Sequence, residues 1–210
     1  MSRIIEDLNW RYATKKFDST KKVSTENLNI IKEALRLTPT SLGLMPLKFL
    51  IIENPELREK LKGASNGQTQ VTDASHLIVL CSIIDTNETH VDDHVTLMSS
   101  VRNVDKSTYD GFGKYAKSYL TTYTVEKKQN WNSKQAYIAL GVLMSTCAQL
   151  RIDATPMEGF SPEGYDEILN LKAQNLHAAL VCPIGYRHED DKYQYLQKVR
   201  KHHDDLFETL

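Results

Sequence analysis

From residue 134 to 150 the chain reads Lys-Gln-Ala-Tyr-Ile-Ala-Leu-Gly-Val-Leu-Met-Ser-Thr-Cys-Ala-Gln-Leu. On a helix, Ala136, Tyr137, Ile138, Ala139, Leu140, Val142, Leu143 and Met144 leave almost no polar side. Such a helix must be covered all round. In a chain of 210 residues it is therefore expected to be a central helix, with room for cover from a second subunit as well. What surrounds it is a mixture of elements. Residues 48–53, 77–83 and 176–184 are short apolar runs that read as buried strands. A brief extended piece is expected at 154–157.

Helix signals lie between these runs. Residues 2–10 form an amphipathic segment. Ser24 is a suitable N-cap, Glu26 follows in the first turn, and Leu28, Ile31 and Leu35 recur at helical spacing until Thr38-Pro39. Asn54-Pro55 starts another helix with a cap and a proline at its first position, and Gly63 ends it. Ser161-Pro162 opens a further helix to about Leu171. Residues 88–128 are polar and mostly helical, with a break expected near Asp110-Gly111-Phe112-Gly113. Strands and helices do not alternate strictly, so an α+β fold is favoured over a doubly wound sheet. One domain over 1–210 is expected, with a helical excursion at about 86–130.

Charge narrows the function. Lys and Arg total 26 against 27 Asp and Glu, a net charge of −1. A nucleic-acid or membrane-surface protein usually carries a strong positive field. No apolar run approaches the ~20 residues that span a bilayer, and the first residues carry no signal-peptide core. Cys81, Cys147 and Cys182 are few, odd in number and embedded in apolar stretches, which reads as buried reduced thiols in a cytoplasmic protein. Against this neutral background two short basic clusters stand out: Arg11-Tyr12-Ala13-Thr14-Lys15-Lys16 near one end and Lys198-Val199-Arg200 near the other. Arg11 and Lys15 share a face on a helix or tight turn, and Lys198 and Arg200 share one in an extended tail. Arginine grips a phosphate with a planar fork, and lysine acts as a point charge. The two clusters suit one small anion pocket built by a chain that folds back on itself. Solvated surface charge is the alternative for either cluster alone.

Other motifs are weaker. Gly111-Phe112-Gly113-Lys114-Tyr115-Ala116 matches a dinucleotide-binding string in letters, but no buried strand precedes it, so a loop between helices is expected. His90 and His94 have metal-ligand spacing without the following glutamate or an obvious third ligand, so a solvated helix face is expected; His202-His203 read the same way. Pro39-Thr40-Ser41-Leu42-Gly43-Leu44-Met45-Pro46 is an ordered loop whose hydroxyls and amides suit a polar ring or ribityl chain. A plain turn is its alternative. Pro156-Met157-Glu158-Gly159-Phe160 ends a short strand, and Gly159 would let backbone approach a ligand.

Taken in order and spacing, Arg11 to Asp18, Pro39-Thr40-Ser41, Asp73-Ala74-Ser75-His76, Pro156 to Phe160 and Lys198-Val199-Arg200 resemble the oxygen-insensitive nitroreductases. The resemblance covers nearly the whole chain and is weakest from about 86 to 130. It implies an α+β homodimer, with a mixed sheet flanked by helices and two FMN sites at the subunit interface, and with NAD(P)H as electron donor. Arg11, Lys198 and Arg200 would hold the FMN phosphate. Tyr12 and Ala13 would line the cradle. Lys15 would lie by the flavin edge where negative charge arrives on reduction. Thr40, Ser41 and Leu42 would come from the partner subunit. Gln68 and Gln70, in the Asn66-Gly67-Gln68-Thr69-Gln70 segment, would reach the pyrimidine edge. Met157, Glu158 and Gly159 would present backbone to the N5 side.

Three positions depart from the family pattern. Ala13 stands where a serine is frequent, which removes one hydroxyl contact. The 42–47 loop is more apolar than usual. Gln70 stands where some members carry lysine, which should make the flavin harder to reduce. The implied chemistry is ping-pong hydride transfer from NAD(P)H to nitroaromatics, quinones or similar flat electrophiles, with no side-chain general acid. A flavin-binding sensor or carrier without efficient turnover is the alternative. A nucleotide- or RNA-binding module is disfavoured by the net charge and by the lack of an aromatic-basic platform.

Overall fold

β2, His76–Ile83, is buried along all but its last residue, because it lies inside the sheet and is covered on both faces. The computed structural model describes residues 2–210. Among these residues β1 (Leu47–Ile52), β2, β3 (Asp153–Ala154) and β4 (Leu176–Gly185) form one sheet in the order β1-β2-β4-β3. All three strand pairings are antiparallel. The sheet is mixed only through an isolated parallel bridge between Ala13 and Ala154.

Period-two alternation sorts β2 between two cores. Ile78 and Leu80 face α2 (Thr25–Arg36) and the long α7 (Val125–Gln149), packing with Ile31, Leu35, Ala139 and Leu143. Leu77, Val79 and Cys81 face the opposite side, with Leu61 of α3 (Pro55–Gly63) and Tyr165 of α8 (Pro162–Ile168). β4 keeps the same partition only because its register slips. Leu80 pairs with Leu180 but Cys81 pairs with Ala178, so Ala179 is an extra residue. The bulge lets Ala178 face the second core while Leu180, Cys182 and Ile184 face the first.

α7 is the expected central helix with two differences. It begins at Val125, capped by the Thr124 hydroxyl accepting from the Lys127 amide, and runs 25 residues. It is also not covered all round: Tyr137 is 49% and Ile138 45% exposed. In one chain the sheet, α2 and α1 (Arg3–Trp10) cover part of its circumference, and the remaining apolar side is left open. α8 stops at Ile168, short of the expected end.

The excursion contains α5 (Glu88–Arg102) and α6 (Asp110–Thr121). Its break falls at Asn103, left-handed at φ 51°, and not at Gly111-Phe112-Gly113, which lies within the start of α6. The expected loop between helices is thus helical: Gly113 is buried on the inner side of α6, and a tighter turn precedes the helix at Lys106–Tyr109. His90 is half-buried and its Nε2 lies 2.7 Å from the Leu44 carbonyl, and the His94 ring packs against Phe112, so these histidines tie the Ser41–Leu44 turn to the helices instead of facing solvent. The three cysteines are free and buried. No helix among the described residues is long and apolar enough to cross a membrane.

The end of β4 allows a direct test of packing. A Cβ at Gly185 would sit 2.9 Å from the Ser75 amide nitrogen and 3.1 Å from the Phe17 ring. Gly185→Ala is therefore expected to cost about 1–3 kcal/mol, read as a lower urea midpoint with unchanged slope.

Candidate functional site

After α1 the chain leaves the helix at Arg11 in extended conformation and runs alongside the sheet edge through the Ala13–Ala154 bridge. Arg11 and Lys15 are therefore not on a helix or tight turn; in near-extended chain, residues four apart still face one way. The segment is held by two buried carboxylates. Thr14 donates its hydroxyl to Asp153 Oδ1 at 3.3 Å, and the Thr14 carbonyl accepts from the Thr155 hydroxyl at 2.6 Å. Asp191, 2% exposed, does more. Its Oδ2 accepts from the Tyr12 hydroxyl at 2.9 Å, the Lys15 amide at 2.7 Å and the Lys16 amide at 3.1 Å, and Oδ1 accepts from the Tyr193 amide at 3.1 Å.

These bonds bring the two ends of the chain together. A cleft of about 430 Å³ is lined on one side by Trp10, Arg11, Tyr12, Ala13 and Lys15, and on the other by Tyr193, Lys198, Val199 and Arg200. Lys198 donates from Nζ to the Arg11 carbonyl. Lys15 Nζ sits 5.9 Å from the centroid of the Tyr193 ring. Burial lowers the pKa of Arg11, and neighbouring Arg200 lowers it further. Burial likewise lowers Lys198, reinforced by Arg11, Arg200 and Arg187. Arg11, Lys198 and Arg200 form no ion pair among the described residues, so the cleft concentrates positive charge that no carboxylate of its own neutralises. One wall is stiffened from behind: Arg187 stacks over Trp10 at 4.3 Å and Tyr12 at 4.5 Å, and pairs with Asp153 at 2.6 Å.

The Pro156–Phe160 segment forms a second group. Met157 pairs with Val181 through both backbone bonds, and its side chain is buried in the second core. Glu158 and Gly159 are exposed. The Gly159 carbonyl accepts from Asn66 Nδ2 at 3.1 Å and Gln68 Nε2 at 2.8 Å, and the Glu158 carboxylate accepts from the Tyr137 hydroxyl. Both Gln68 side-chain hydrogens are thereby committed, the second to the Ser65 carbonyl at 3.1 Å. Gln70 is buried at the start of α4 (Gln70–Asp73).

The Thr40-Ser41-Leu42 loop is placed elsewhere. The Ser41 amide donates to Gln135 Oε1 at 2.8 Å, Thr40 Oγ1 accepts from the Met45 amide, and Leu42 is left-handed at φ 56° beside the α5–α6 cluster. None of the three lines the cationic cleft of the same chain.

Sequence reasoning located the cations but missed the residues that assemble them. Asp153 lies just before the extended piece expected at 154–157, and Arg187, Asp191 and Tyr193 lie beyond the strand expected at 176–184, where no local signal marks them. The run His188-Glu189-Asp190-Asp191 carries acidic letters opposite the basic clusters, yet nothing in the letters distinguishes Asp191, which turns inward, from exposed Asp190.

Comparison with known proteins gives this arrangement a family. A model described as the nitroreductase family matches residues 8–186. A Staphylococcus epidermidis protein with the provisional name NAD(P)H nitroreductase is 37% identical over 99% of this chain and 96% of its own. YfkO of Bacillus subtilis, provisionally named likewise, is 34% identical over 91% of each chain. Among solved structures, the nitroreductase-type protein YdfN of B. subtilis superposes with a TM-score of 0.87 at 22% identity, over 98% of each chain. A relative from Exiguobacterium sibiricum, solved in complex with FMN, superposes with a TM-score of 0.83 at 16% identity, over 100% of this chain and 98% of its own. The α+β fold, the matched length and the identity over nearly the whole chain together place this protein in the nitroreductase family of oxidoreductases.

Proposed function

We propose that this chain is an FMN-dependent NAD(P)H oxidoreductase that reduces nitroaromatics, quinones or similar flat electrophiles in alternation with NAD(P)H. The observation that carries the reading is the cleft in which Arg11, Lys198 and Arg200 meet without a carboxylate partner. Unpaired cations, two of them (Arg11 and Lys198) partly desolvated, demand an anion, and a phosphomonoester at the end of a flat cofactor meets that demand. The cleft volume of about 430 Å³ lies within the usual range of small-molecule sites. A second feature fits the same ligand: the amides of Glu158 and Gly159 make no hydrogen bond among the described residues and are free to face a heterocycle.

FMN, when bound, supplies the two-electron chemistry. The chain does the rest. Arg11, Lys198 and Arg200 bind the phosphate. Lys15 places a positive charge toward the ring edge that gains negative charge. Glu158 and Gly159 orient the ring through backbone. Thr40, Ser41 and Leu42 serve the site of a partner subunit in a homodimer, which accounts for their absence from the cleft of their own chain. Tyr137 and Ile138 on α7, with Ile4, Ile5 and Leu8 on α1, offer the apolar surface such a dimer would cover. The same reading takes residues 1–210 as one catalytic unit working in the cytoplasm, where the three buried thiols stay reduced.

Anaerobic addition of NADH and of NADPH to the purified FMN-loaded protein tests this directly. The yellow colour is expected to bleach with at least one donor and to return on adding a quinone or a nitro compound. Yellow protein that neither donor bleaches would be a flavin carrier or sensor, and protein with no affinity for FMN would end the reading. Arg200→Ala is expected to weaken FMN binding about tenfold, as loss of one charge-assisted bond predicts. Riboflavin, which lacks the phosphate, should bind wild type and variant alike.

A further inference from the structure

We propose that Asn66 and Gln68 are positioning residues whose side-chain amides clamp the Gly159 carbonyl and so aim the Glu158 and Gly159 N–H groups at the N5 side of the flavin. The proposal rests on the FMN reading above and assigns Gln68 a role other than direct contact with the ring.

The backbone from Met157 to Ser161 is almost fully committed. The Met157 amide donates to Val181 at 2.8 Å, the Phe160 amide to Glu158 at 2.9 Å, and the Ser161 amide to Ala64 at 2.7 Å. Pro156 has no N–H. Only the amides of Glu158 and Gly159 remain, and they are adjacent. A tight turn with two free donors has no fixed direction unless its carbonyls are held. Two carboxamides hold one of them, from Asn66 at 3.1 Å and Gln68 at 2.8 Å, and fill both acceptor positions of the Gly159 oxygen.

The clamp is built from a costly backbone. Asn66 and Gly67 are consecutive left-handed residues at φ 54° and φ 71°. Asparagine and glycine are the residues that tolerate this region. The turn closes α3 through the Gly67 amide on the Lys62 carbonyl at 3.0 Å. Its geometry is thus set by the helix end, and both side chains project from a rigid base. The carboxamide also packs against Gly159 itself: a Cβ there would lie in ordinary contact with Gln68 Nε2, at 3.4 Å. Tyr137 holds the other flank of the turn through the Glu158 carboxylate.

The test compares binding of FMN with binding of its 5-deaza analogue, in which carbon replaces N5 and accepts no hydrogen bond. Fluorescence titration of apo wild type is expected to show a preference for FMN of about fivefold, the weight of one hydrogen bond. Gln68→Glu turns the donor into an acceptor facing a carbonyl, and Asn66→Ala with Gln68→Ala removes both donors. Either variant should weaken FMN about fivefold, leave the 5-deaza analogue unchanged, and erase the preference. The alanine pair serves if the glutamate variant fails to fold. Variants that keep the preference overturn the clamp, as do variants that weaken both ligands equally, which is what a purely structural role would produce. Wild type that binds both ligands alike overturns the clamp but leaves the FMN reading standing. Wild type that binds neither overturns both.

Discussion

Asp191→Asn is expected to lower thermal stability and FMN affinity together, although Asp191 touches no part of the proposed ligand. Oδ2 accepts from Tyr12, Lys15 and Lys16, and Oδ1 accepts from Tyr193. Asparagine keeps one acceptor and turns the other into a donor. Whichever way it is flipped, an NH2 group faces a partly buried N–H. Leaving such groups unpaired costs about 1–3 kcal/mol. The same bonds join the 11–16 wall of the cleft to the 193–200 wall, so FMN affinity should fall by about tenfold or more. Asp190→Asn is the control. Asp190 is exposed and pairs with Lys16 at the surface, and such pairs contribute little, so this variant should behave as wild type.

The acid behaviour follows from the same contacts. Burial alone would raise the Asp191 pKa, but the amides of Lys15 and Lys16, the Tyr12 hydroxyl and the Tyr193 amide outweigh it and bring it below the usual carboxylate value. A folded-state pKa below the unfolded value of about 3.9 means the stabilisation is present above that pH and is lost as pH falls through the folded value. Wild type and Asp191→Asn should therefore differ fully at neutral pH and converge in acid. Equal melting curves at pH 7 would remove Asp191 from its assigned place.

Asp153→Ala is expected to be the most destabilising single change considered. Asp153 is 3% exposed. It accepts from the Arg187 amide at 2.7 Å and from Arg187 Nε at 2.9 Å, and Nη2 lies 2.6 Å away. Removing the carboxylate strands a largely buried guanidinium between Trp10 and Tyr12, at a cost of about 3 kcal/mol or more. In a chain of this size that is a fall of roughly 6–12 °C in Tm. The double change Asp153→Ala with Arg187→Met should cost less than Asp153→Ala alone, because no uncompensated charge remains. A double variant that is less stable than the single would show that the stacking of Arg187 on Trp10 and Tyr12 outweighs the cost of its unpaired charge. Glu33→Gln, which breaks the exposed Arg36 pair on α2, should leave Tm unchanged.

Much of the fold was legible because its signals are local. Ser24, Asn54 and Ser161 cap their helices as expected, each accepting from a backbone amide three residues on. The strands were visible as apolar runs, and β1, β2 and β4 fall within one residue of the expected bounds. The break at Asn103 was not visible, because glycines at 111 and 113 are stronger local punctuation than one asparagine. Gly113 instead lies buried within α6, a tertiary circumstance that its own letter does not carry. The bulge at Ala179 was equally hidden, since an uninterrupted apolar run carries no parity.

At the site, the sequence by itself determined which side chains bring positive charge: Arg11, Lys15, Lys198 and Arg200 are conspicuous in a chain of net charge −1. It also determined that α7 would be central, since a helix with so little polar surface has nowhere else to go. Only the tertiary structure decided what converts those cations into one cleft. Asp191 reaches back across 176 residues to the Lys15 amide, and Asp153 reaches Arg187 across 34. A carboxylate at the surface and a buried one that collects four donors are the same letter. They differ in desolvation and in long-range hydrogen bonds, which exist only once distant parts of the chain have met.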